Sequence, residues 1–399
     1  MIHLFINALA ASAGGGLTYV RNVLPRFAAR DDVRVTVLLS SALRTQLANS
    51  GQVSIIEQDP PGGVAARFWF EQRRLPQLIR QARADVLLST GNFALWNSPV
   101  PQILLSRNAL YTSRDFLRDL RSRGDYKIWL DTELKAEFAR WSIRRADVTV
   151  APSTAFANQL RDWTGVEVAA IHHGFDAESF VADQTPLPET ARRALDASDS
   201  ALRLLFVSHY NYYRNFETLI RALALLRDRL APRRVCLILT CKLRSDSNPG
   251  SYSADSAAHL VQQLGLAESV IELGSIPYGR LHHLYHASHI YVTAAYAESF
   301  AHPLVEAMSC GLPIAAADTE VHREICGESA LFFPAMSPTA LADQVCRFVQ
   351  DEEISKSSSV KGLRRSRDFT WKQHVQQLLD LAQSRFAETI AKQVQKELV

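Results

Sequence analysis

The chain has 399 residues, which is long enough for two domains that each bury their own core. Apolar residues make up 47% of it and charged residues 21%, a composition that excludes disordered and fibrous classes. A formal net charge of +3 does not favour nucleic acid as a partner, and no apolar run is long enough to span a bilayer.

The first stretch of the chain has two interpretations. Residues 1–13 are apolar and end in Ala-Ser-Ala, which resembles a signal-peptide cleavage site. No Lys or Arg precedes the apolar part, and the apolar run is short. We therefore favour a buried first strand, Ile2–Leu9, that leads into the glycine turn.

Apolar, β-branched runs recur along the whole chain and are separated by helix-length amphipathic segments. Strands that are apolar on both faces and alternate with helices indicate parallel sheets covered on both sides. Two such sets predict an α/β protein with two doubly wound, Rossmann-like domains facing each other across a cleft. The predicted strands are Ile2–Leu9, Val33–Leu39, Val53–Glu57, Asp85–Ser89, Gln102–Ser106, Asp147–Ala151, Val168–His172, Leu202–Val207, Val235–Thr240, Val270–Leu273, Ile290–Ala294, Ile314–Ala317 and Ala330–Phe333.

The predicted domains are residues 1–178 and residues 201–375. Residues 179–200 between them are rich in Pro, Asp, Ser and Thr, which is typical of a linker. Residues 376–399 are predicted to be a C-terminal helix, for which packing on the N-terminal domain is an open alternative.

The glycine turn at residues 14–16 fits a dinucleotide-binding fingerprint poorly. Tyr19 stands where the third glycine would be, and the strand Val33–Leu39 ends in two serines without an acid for a ribose diol. Gly15 and Gly16 therefore leave two interpretations open. They could let the backbone approach a phosphate or sugar, or they could allow tight packing of a helix against a strand.

Two basic segments, residues 66–74 and 114–123, contain apolar neighbours. They could contact an anionic membrane surface or a phosphorylated acceptor. Because acidic residues are interspersed in both segments, we favour solvated helix faces.

Arg214 follows the predicted strand Leu202–Val207 and precedes a predicted helix over residues 216–229, for which Asn215 is the predicted cap. A cation beside a helix start, at the carboxyl end of a parallel strand, is well placed to hold a diphosphate.

Residues 296–313 carry the clearest site pattern. A helix is predicted to begin at Pro303 and to end at Gly311, after a loop that follows the strand Ile290–Ala294. Glu298 lies in the loop, and Glu306 is predicted to lie in the first helical turn. Backbone N–H groups near the helix start attract anions, while carboxylates accept hydrogen bonds from hydroxyls. A nucleotide sugar carries both groups.

With these features in order, the chain resembles the retaining glycosyltransferases of family 4, which have the GT-B fold. Two glutamates separated by seven residues, in a strand–loop–helix–Gly-x-Pro context, are the most specific part of the match. The resemblance covers nearly the whole chain and rests on residues 14–16, 145–153, 173–176, 274–278, 284–288, 298–306 and 307–314.

The resemblance implies a role for each matching residue. Glu306 accepts hydrogen bonds from the ribose hydroxyls of the donor, and Glu298 faces the transferred sugar. The backbone around Ser299, Phe300 and Ala301 meets the sugar or diphosphate. Arg214 takes the place of a lysine that neutralises the diphosphate, so no metal and no cofactor beyond the nucleotide-sugar co-substrate is expected.

Two positions depart from the family pattern. His209 stands where a diphosphate-binding arginine is common, and Arg107-Asn108 follow the strand that usually precedes a histidine lining the sugar site. Histidine titrates near neutrality, so diphosphate binding could become pH-dependent. Arg107 and Asn108 are candidate contacts to the sugar or acceptor.

The expected activity is metal-independent transfer of a sugar, with retention of anomeric configuration, from a nucleotide diphosphate to a hydroxyl acceptor. The acceptor would be a glycan, a lipid-linked glycan or a small molecule. The alternatives are a GT-B epimerase or phosphorylase, or a catalytically weak nucleotide-sugar-binding protein.

The five cysteines are scattered and have no CxxC spacing, which indicates free thiols in a reducing compartment. A cytoplasmic location is expected, with peripheral contact at the inner membrane face left open.

Overall fold

The computed structural model describes residues 1–11, 14–45, 47, 53–60, 62–245 and 252–397. Residues 12 and 13, at the end of the apolar first stretch, and the last two residues of the predicted C-terminal helix lie outside them. Within the described part of the chain, no helix is both long enough and apolar enough to cross a membrane. All five cysteines are free thiols, as predicted.

Strands and helices alternate along the chain. The strands are β1 Ile2–Asn7, β2 Val33–Leu39, β3 Ser54–Glu57, β4 Val86–Ser89, β5 Gln102–Leu105, β6 Val148–Ala151, β7 Val168–Ala170, β8 Leu202–Phe206, β9 Val235–Leu239, β10 Val270–Glu272, β11 Ile290–Thr293, β12 Ile314–Ala317 and β13 Ala330–Phe333. The helices are α1 Gly14–Ala28, α2 Ser41–Arg44, α3 Val64–Ala82, α4 Arg114–Ser122, α5 Tyr126–Arg145, α6 Thr154–Thr164, α7 Ala177–Phe180, α8 Glu189–Ala197, α9 Phe216–Arg229, α10 Asp255–Gln263, α11 Leu281–His286, α12 His302–Ser309, α13 Glu320–Cys326, α14 Pro338–Gln350, α15 Glu352–Ser366 and α16 Trp371–Glu397.

All thirteen predicted strands are present, with ends that differ by at most two residues. They form one seven-stranded sheet in the order β3-β2-β1-β4-β5-β6-β7 and one six-stranded sheet in the order β10-β9-β8-β11-β12-β13. Neighbouring strands are parallel, as in the pairs β1–β4 and β8–β11. This confirms the predicted fold class of two doubly wound parallel sheets. It also places β1 inside the first sheet, as the strand interpretation of the N-terminus requires.

The chain divides into two compact units. The first combines Met1–Thr112, Leu130–Gly174 and Thr370–Val399, and the second combines Ser113–Trp129 with Phe175–Phe369. The division differs from the predicted domains in α4, which belongs to the second unit. Helix α16 belongs to the first unit, which is the alternative left open for the C-terminal helix. Residues 179–200, predicted as a linker, contain α8 and lie in the second unit.

Helix α16 is held in the first unit by its apolar side. Val375, Leu378 and Leu379 are buried in the same core cluster as Val20 and Leu24 of α1. Burying each such side chain contributes about 1.5–3 kcal/mol relative to leaving it exposed. Close packing also fixes the start of the helix, because a Cβ on Gly174 would lie 2.1 Å from the backbone nitrogen of Trp371.

Candidate active site

The carboxyl ends of β8 and β11 bring the second unit's predicted site residues together. These strands are neighbours at the point where the strand order reverses, which is where open α/β sheets bind their ligands. The loops that follow them are tied by a hydrogen bond from the Tyr296 N–H to the Tyr213 carbonyl, at 3.0 Å. The sequence pattern could place each loop after its strand, but only the strand order makes them adjacent.

Asn215 joins these loops in a way that differs from its predicted role. It stands before α9, but its side chain makes no capping hydrogen bond, because its own backbone is left-handed with φ of 55°. The side-chain amide instead donates to the carbonyl oxygens of Ala294, at 3.3 Å, and Ala335, at 2.8 Å. Asn215 therefore connects three loops at this edge of the sheet.

Arg214 and Glu298 form an ion pair through Nη1 and Oε1. Their side chains are only 16% and 12% exposed, so the pair is well shielded from water. The guanidinium also lies over the Tyr213 ring, 4.9 Å from its centroid. Its Nε is buried without a hydrogen-bond partner among the described residues. The Nε atoms of Arg140, Arg203 and Arg385 are likewise without a partner among these residues, so Arg214 is distinguished by its position after β8 and beside Glu298.

His209 belongs to the same loop but differs from Arg214 in charge. Desolvation, followed by the nearby positive charge of Arg214, lowers the pKa of the His209 imidazole. At neutral pH the ring is therefore neutral in the absence of ligand. It does not by itself replace the charge of an arginine.

Helix α12 carries Glu306 into the protein interior. The helix begins at His302, one residue before the predicted start, so Glu306 lies in the second turn rather than the first. The helix ends at Ser309, and Gly311, two residues further on, has φ of 70°, the left-handed conformation predicted for the end of the helix. Glu306 is 4% exposed, and its Oε2 accepts a hydrogen bond of 2.7 Å from the Tyr285 hydroxyl.

Burial raises the pKa of the Glu306 carboxyl to about 7, and hydrogen bonds from Tyr285 and Tyr278 oppose the shift without cancelling it. A carboxylate kept in this environment is costly unless hydroxyl groups donate to it. Sequence reasoning did not assign a site role to either tyrosine. Both lie in segments 274–278 and 284–288, which match the family pattern upstream of the glutamates. Membership of these segments was the signal that could have identified them as site residues.

The loop before α12 adopts an uncommon backbone conformation. Ala301 has φ of 64°, in the left-handed region that costs a residue with a Cβ about 1–2 kcal/mol. Tertiary packing holds it, because the neighbouring Phe300 ring is buried and lies 5.5 Å from the Phe369 ring. Such an outlier beside Ser299 and Glu298 is typical of a functional loop.

Helix α4 braces the same edge of the second unit. The Tyr296 hydroxyl donates to Asp119 of α4 at 2.9 Å, and Arg123 just beyond the helix pairs with Glu217 at 2.9 Å. The buried Phe116 ring packs on the Tyr213 ring with a centroid distance of 6.1 Å. The basic segment 114–123 is therefore partly engaged by its own unit, rather than forming a fully solvated helix face.

In the first unit, the two glycines of the turn have different surroundings. A Cβ on Gly16 would lie 3.0 Å from the Ala11 Cα, so this glycine allows close packing. Nothing lies within 4 Å of the corresponding position on Gly15. Packing therefore explains Gly16 and leaves Gly15 open to the backbone-approach interpretation.

Arg107 contacts the glycine turn through hydrogen bonds to backbone carbonyls. Its Nη2 donates to the Thr90 carbonyl at 2.6 Å and its Nη1 to the Gly15 carbonyl at 3.4 Å. The guanidinium lies over the Tyr19 ring, 5.0 Å from the centroid. Asn108 caps the short 3₁₀ turn after it by accepting from the Leu110 N–H at 3.1 Å. Both candidate residues thus make structural contacts within the first unit.

Tyr19 links the glycine turn to α16. Its hydroxyl lies 3.0 Å from His374 Nε2, while His374 Nδ1 lies 2.7 Å from the His172 carbonyl. Since only Nδ1–H can donate to that carbonyl, Nε2 accepts from the Tyr19 hydroxyl in the neutral ring. Burial lowers the pKa of His374 to about 4, which keeps the ring neutral. The large side chain at the position of a third glycine is thus built into the core.

Two family models match the chain, one in each half. "Glycosyltransferase Family 4" matches residues 13–179, and "Glycosyl transferases group 1" matches residues 189–363. Among solved structures, an Anabaena protein, Alr3699/HepE, in complex with UDP is similar with a TM-score of 0.71, at 18% identity over 96% of this chain and 100% of that one. Sucrose-phosphate synthase from Thermosynechococcus elongatus gives a TM-score of 0.73, at 18% identity over 97% of this chain and all of that one.

The fold is therefore GT-B. With both halves matched by glycosyltransferase models, the chain belongs to the GT-B glycosyltransferases of the family 4 type.

The curated relatives align with this chain over only part of their length. D-inositol 3-phosphate glycosyltransferase of Corynebacterium diphtheriae is 24% identical over 69% of this chain and 63% of the relative. The enzyme of the same name from Salinispora tropica is 28% identical over 62% of this chain and 52% of the relative. The O-antigen chain mannosyltransferase B of Escherichia coli is 28% identical over 25% of this chain and 26% of the relative. The chain thus covers less than two thirds of the length of these relatives.

Proposed function

We propose that the protein transfers a sugar from a nucleotide diphosphate donor to a hydroxyl acceptor, with retention of anomeric configuration and without a metal ion. The observation that carries this proposal is the Arg214 guanidinium. Its Nε is buried and unpartnered among the described residues, beside Glu298, at the switch point of a doubly wound sheet. A diphosphate oxygen supplies the acceptor that this donor lacks.

The donor is bound by groups of opposite charge, two carboxylates for its hydroxyls and positive groups for its diphosphate. Glu306 accepts hydrogen bonds from the ribose hydroxyls, since its buried carboxylate is stabilised by any hydroxyl that donates to it. Glu298 accepts from hydroxyls of the transferred sugar. Arg214 and the N-terminal end of α12 face the diphosphate, and this positive charge takes the part that a metal ion plays in other transferases.

Glu298 and Arg214 neutralise each other before the donor arrives. When the donor binds, the diphosphate competes for the guanidinium while sugar hydroxyls compete for the carboxylate. Neither charge is then left buried and unpaired, which would cost several kcal/mol. The ion pair is therefore a ligand-free arrangement that the donor replaces on both sides at once.

The chemical step places negative charge on the leaving diphosphate. The bond between the anomeric carbon and the diphosphate oxygen breaks, and its electron pair stays on that oxygen. Arg214 stabilises this charge, and removing one such donor typically lowers the rate by about 10²–10³-fold. In front-face attack the acceptor oxygen forms the new bond to the anomeric carbon on the side from which the diphosphate leaves, and its proton passes to the leaving oxygen. No separate general base is then needed.

The acceptor is a hydroxyl on a glycan, a lipid-linked glycan or a small polar molecule. The relatives named for inositol phosphate and for O-antigen mannosyl transfer support this range. The five free thiols, three of them buried, support a reducing cytoplasmic location for the reaction.

The test begins with a screen of nucleotide sugars for thermal stabilisation, because a ligand that binds the folded state raises the melting temperature. With the donor known, Glu298→Gln should lower kcat and Glu306→Ala should mainly raise the donor KM. The exposed Glu268→Gln serves as the matched control and should keep wild-type kinetics. Wild-type kinetics in both site variants would refute the site assignment.

Product analysis separates the alternatives. Proton NMR of the product should show the same anomeric configuration as the donor, and activity should persist in EDTA. A free epimerised sugar nucleotide or a sugar phosphate as the product would indicate a GT-B epimerase or phosphorylase. Donor binding by calorimetry without hydrolysis or transfer would indicate a binding protein.

A further inference from the structure

The first unit presents a face of mutually packed aromatic rings. We define the aromatic face by the side chains Phe68, Trp69, Phe93, Trp96, Phe138 and Trp141. Ring centroids lie 5.5 Å apart for Trp69 and Trp96 and 5.0 Å apart for Trp96 and Trp141. Helix α3, the segment after β4 and helix α5 thus share one continuous apolar surface.

This surface is open to solvent. Along α5, Leu130, Leu134, Phe138 and Trp141 recur at helical spacing on one side, and with Trp69 of α3 they are between 42% and 56% exposed. Single exposed apolar residues are ordinary, but a contiguous patch with tryptophan at its centre marks an interaction surface. It lies within the first unit, whereas Arg214, Glu298 and Glu306 belong to the second.

The charge around the aromatic face is positive. Helix α3 and residues 130–145 carry eight basic and four acidic residues, a net charge of +4, whereas the whole chain has +3. Two of the acids are neutralised within α5, by the pairs Lys135–Asp131 and Arg140–Glu137. A third, Glu71, pairs with Arg67.

The remaining cations are available to a partner. Among the described residues, no carboxylate pairs with the exposed Arg73, Arg74, Arg144 or Arg145. Three of them donate to neutral groups: Arg144 to the Thr164 carbonyl at 2.8 Å, Arg145 to the Trp96 carbonyl at 3.1 Å and Arg74 to the Gln77 side chain at 2.8 Å. Arginines beside an exposed tryptophan cluster combine the two features that attract an anionic lipid surface.

We propose that the aromatic face docks the protein on the surface of an anionic phospholipid membrane. The tryptophans and Phe138 enter the interface between headgroups and acyl chains, and the arginines contact lipid phosphates. A second copy of the chain is a poorer occupant, because a two-fold interface through this face would set arginines against arginines. The contact is peripheral, and it acts through helices α3 and α5 rather than through the basic segment of α4.

The test is co-sedimentation of the full chain with phosphatidylcholine vesicles, with and without phosphatidylglycerol. The wild-type protein should sediment with the anionic vesicles. Each arginine near such a surface is worth about fivefold in partitioning, so Arg73→Gln combined with Arg74→Gln should weaken binding about 30-fold. Leu134→Gln combined with Phe138→Gln should abolish the part of binding that survives high salt.

The control for the arginines is Arg192→Gln with Arg193→Gln on α8, two adjacent exposed arginines of the second unit. The control for the apolar pair is Val360→Gln, an exposed apolar residue of α15. Thermal melts and UDP binding should be the same in all four variants as in the wild type. If none of the screened nucleotide sugars bound the wild-type protein, the donor proposal would be refuted, while vesicle binding would be unaffected.

Three outcomes would overturn the docking proposal. The wild-type protein could fail to sediment with anionic vesicles, or the face variants could sediment as well as their controls. A dimer seen by sedimentation equilibrium, and dissolved by Leu134→Gln with Phe138→Gln, would show that a second copy covers the aromatic face instead.

Discussion

Replacing Glu306 by Gln should stabilise the ligand-free protein while weakening donor binding. Burial in α12 raises the pKa of the Glu306 carboxyl from 4.5 to about 7, so the folded state disfavours its ionised form. A group with a raised folded pKa leaves stability intact below the unfolded pKa and lowers it as pH rises toward the folded pKa. The cost of Glu306 should therefore be small at pH 4.5, which equals the unfolded pKa, and complete at pH 8.

The size of the effect follows from the shift. A change of about 2.5 pKa units corresponds to about 3 kcal/mol, which Glu306→Gln should recover at pH 8 and not at pH 4.5. For a unit of this size, 1 kcal/mol moves the melting temperature by about 2–4 °C, so the increase is at most about 6–12 °C. The value is an upper limit, because the new amide N–H group needs a hydrogen-bond acceptor while Tyr285 continues to donate.

The assay is thermal unfolding of the wild type and the variant from pH 4.5 to pH 8, with and without a nucleoside diphosphate. Glu268→Gln, an exposed substitution in the same unit, controls for loss of one negative charge. The difference between Glu306→Gln and the wild type should grow with pH, whereas the control should show no such trend. Stabilisation by the nucleotide should be smaller in Glu306→Gln. A pH-independent difference in melting temperature would contradict the reasoning from burial.

Three further predictions concern the groups around the site. Arg123→Met should destabilise the second unit by about 1–3 kcal/mol in urea unfolding. A double-mutant cycle with Glu217→Gln should give a coupling energy of at least about 0.5 kcal/mol. Additive effects would show that the Arg123–Glu217 pair does not stabilise the unit. Diphosphate binding near pH 6.5 should be accompanied by proton uptake, because a bound anion raises the lowered pKa of His209. Calorimetry in buffers of different ionisation heat should show that His209→Gln loses this proton uptake. Equal uptake by the variant and the wild type would assign the proton to another group. Arg107→Met should cost about 1–3 kcal/mol in the first unit, since it removes the 2.6 Å donor to the Thr90 carbonyl and the contact to the Gly15 carbonyl. Unchanged stability would show that water replaces the guanidinium.

Much of the fold follows from local patterns. Buried parallel strands are apolar on both faces, and turn residues interrupt them, so all thirteen strands were predictable from hydrophobicity alone. The end of α12 was equally local, because Gly311 adopts the left-handed conformation that the pattern predicts. The predicted start of α12, Pro303, was wrong by one residue, because the helix begins at His302. Helix ends depend on backbone geometry that a hydrophobic pattern does not specify.

For the candidate site, the sequence predicted the residues but not their surroundings. The sequence identified Glu298, Glu306 and Arg214 as candidates from their positions after strands and in a helix. Their environment could not be predicted, because it depends on residues far away in the chain. Tyr285 donates to Glu306, and the brace from Asp119 to Tyr296 joins residues separated by 177 positions. These contacts change pKa values and loop geometry, which no local pattern encodes.

Local patterns in the sequence were sufficient to predict which segments become strands and which acids and arginine follow them. Cysteine spacing and a modest net charge were sufficient to predict free thiols in a globular protein. Sheet topology, which no local pattern specifies, makes β8 and β11 neighbours and allows Arg214 and Glu298 to form an ion pair. The tertiary structure also decided that α4 joins the second unit and α16 the first. The physical reason is that hydrophobic periodicity is a local property, whereas burial and charge pairing depend on which distant surfaces meet.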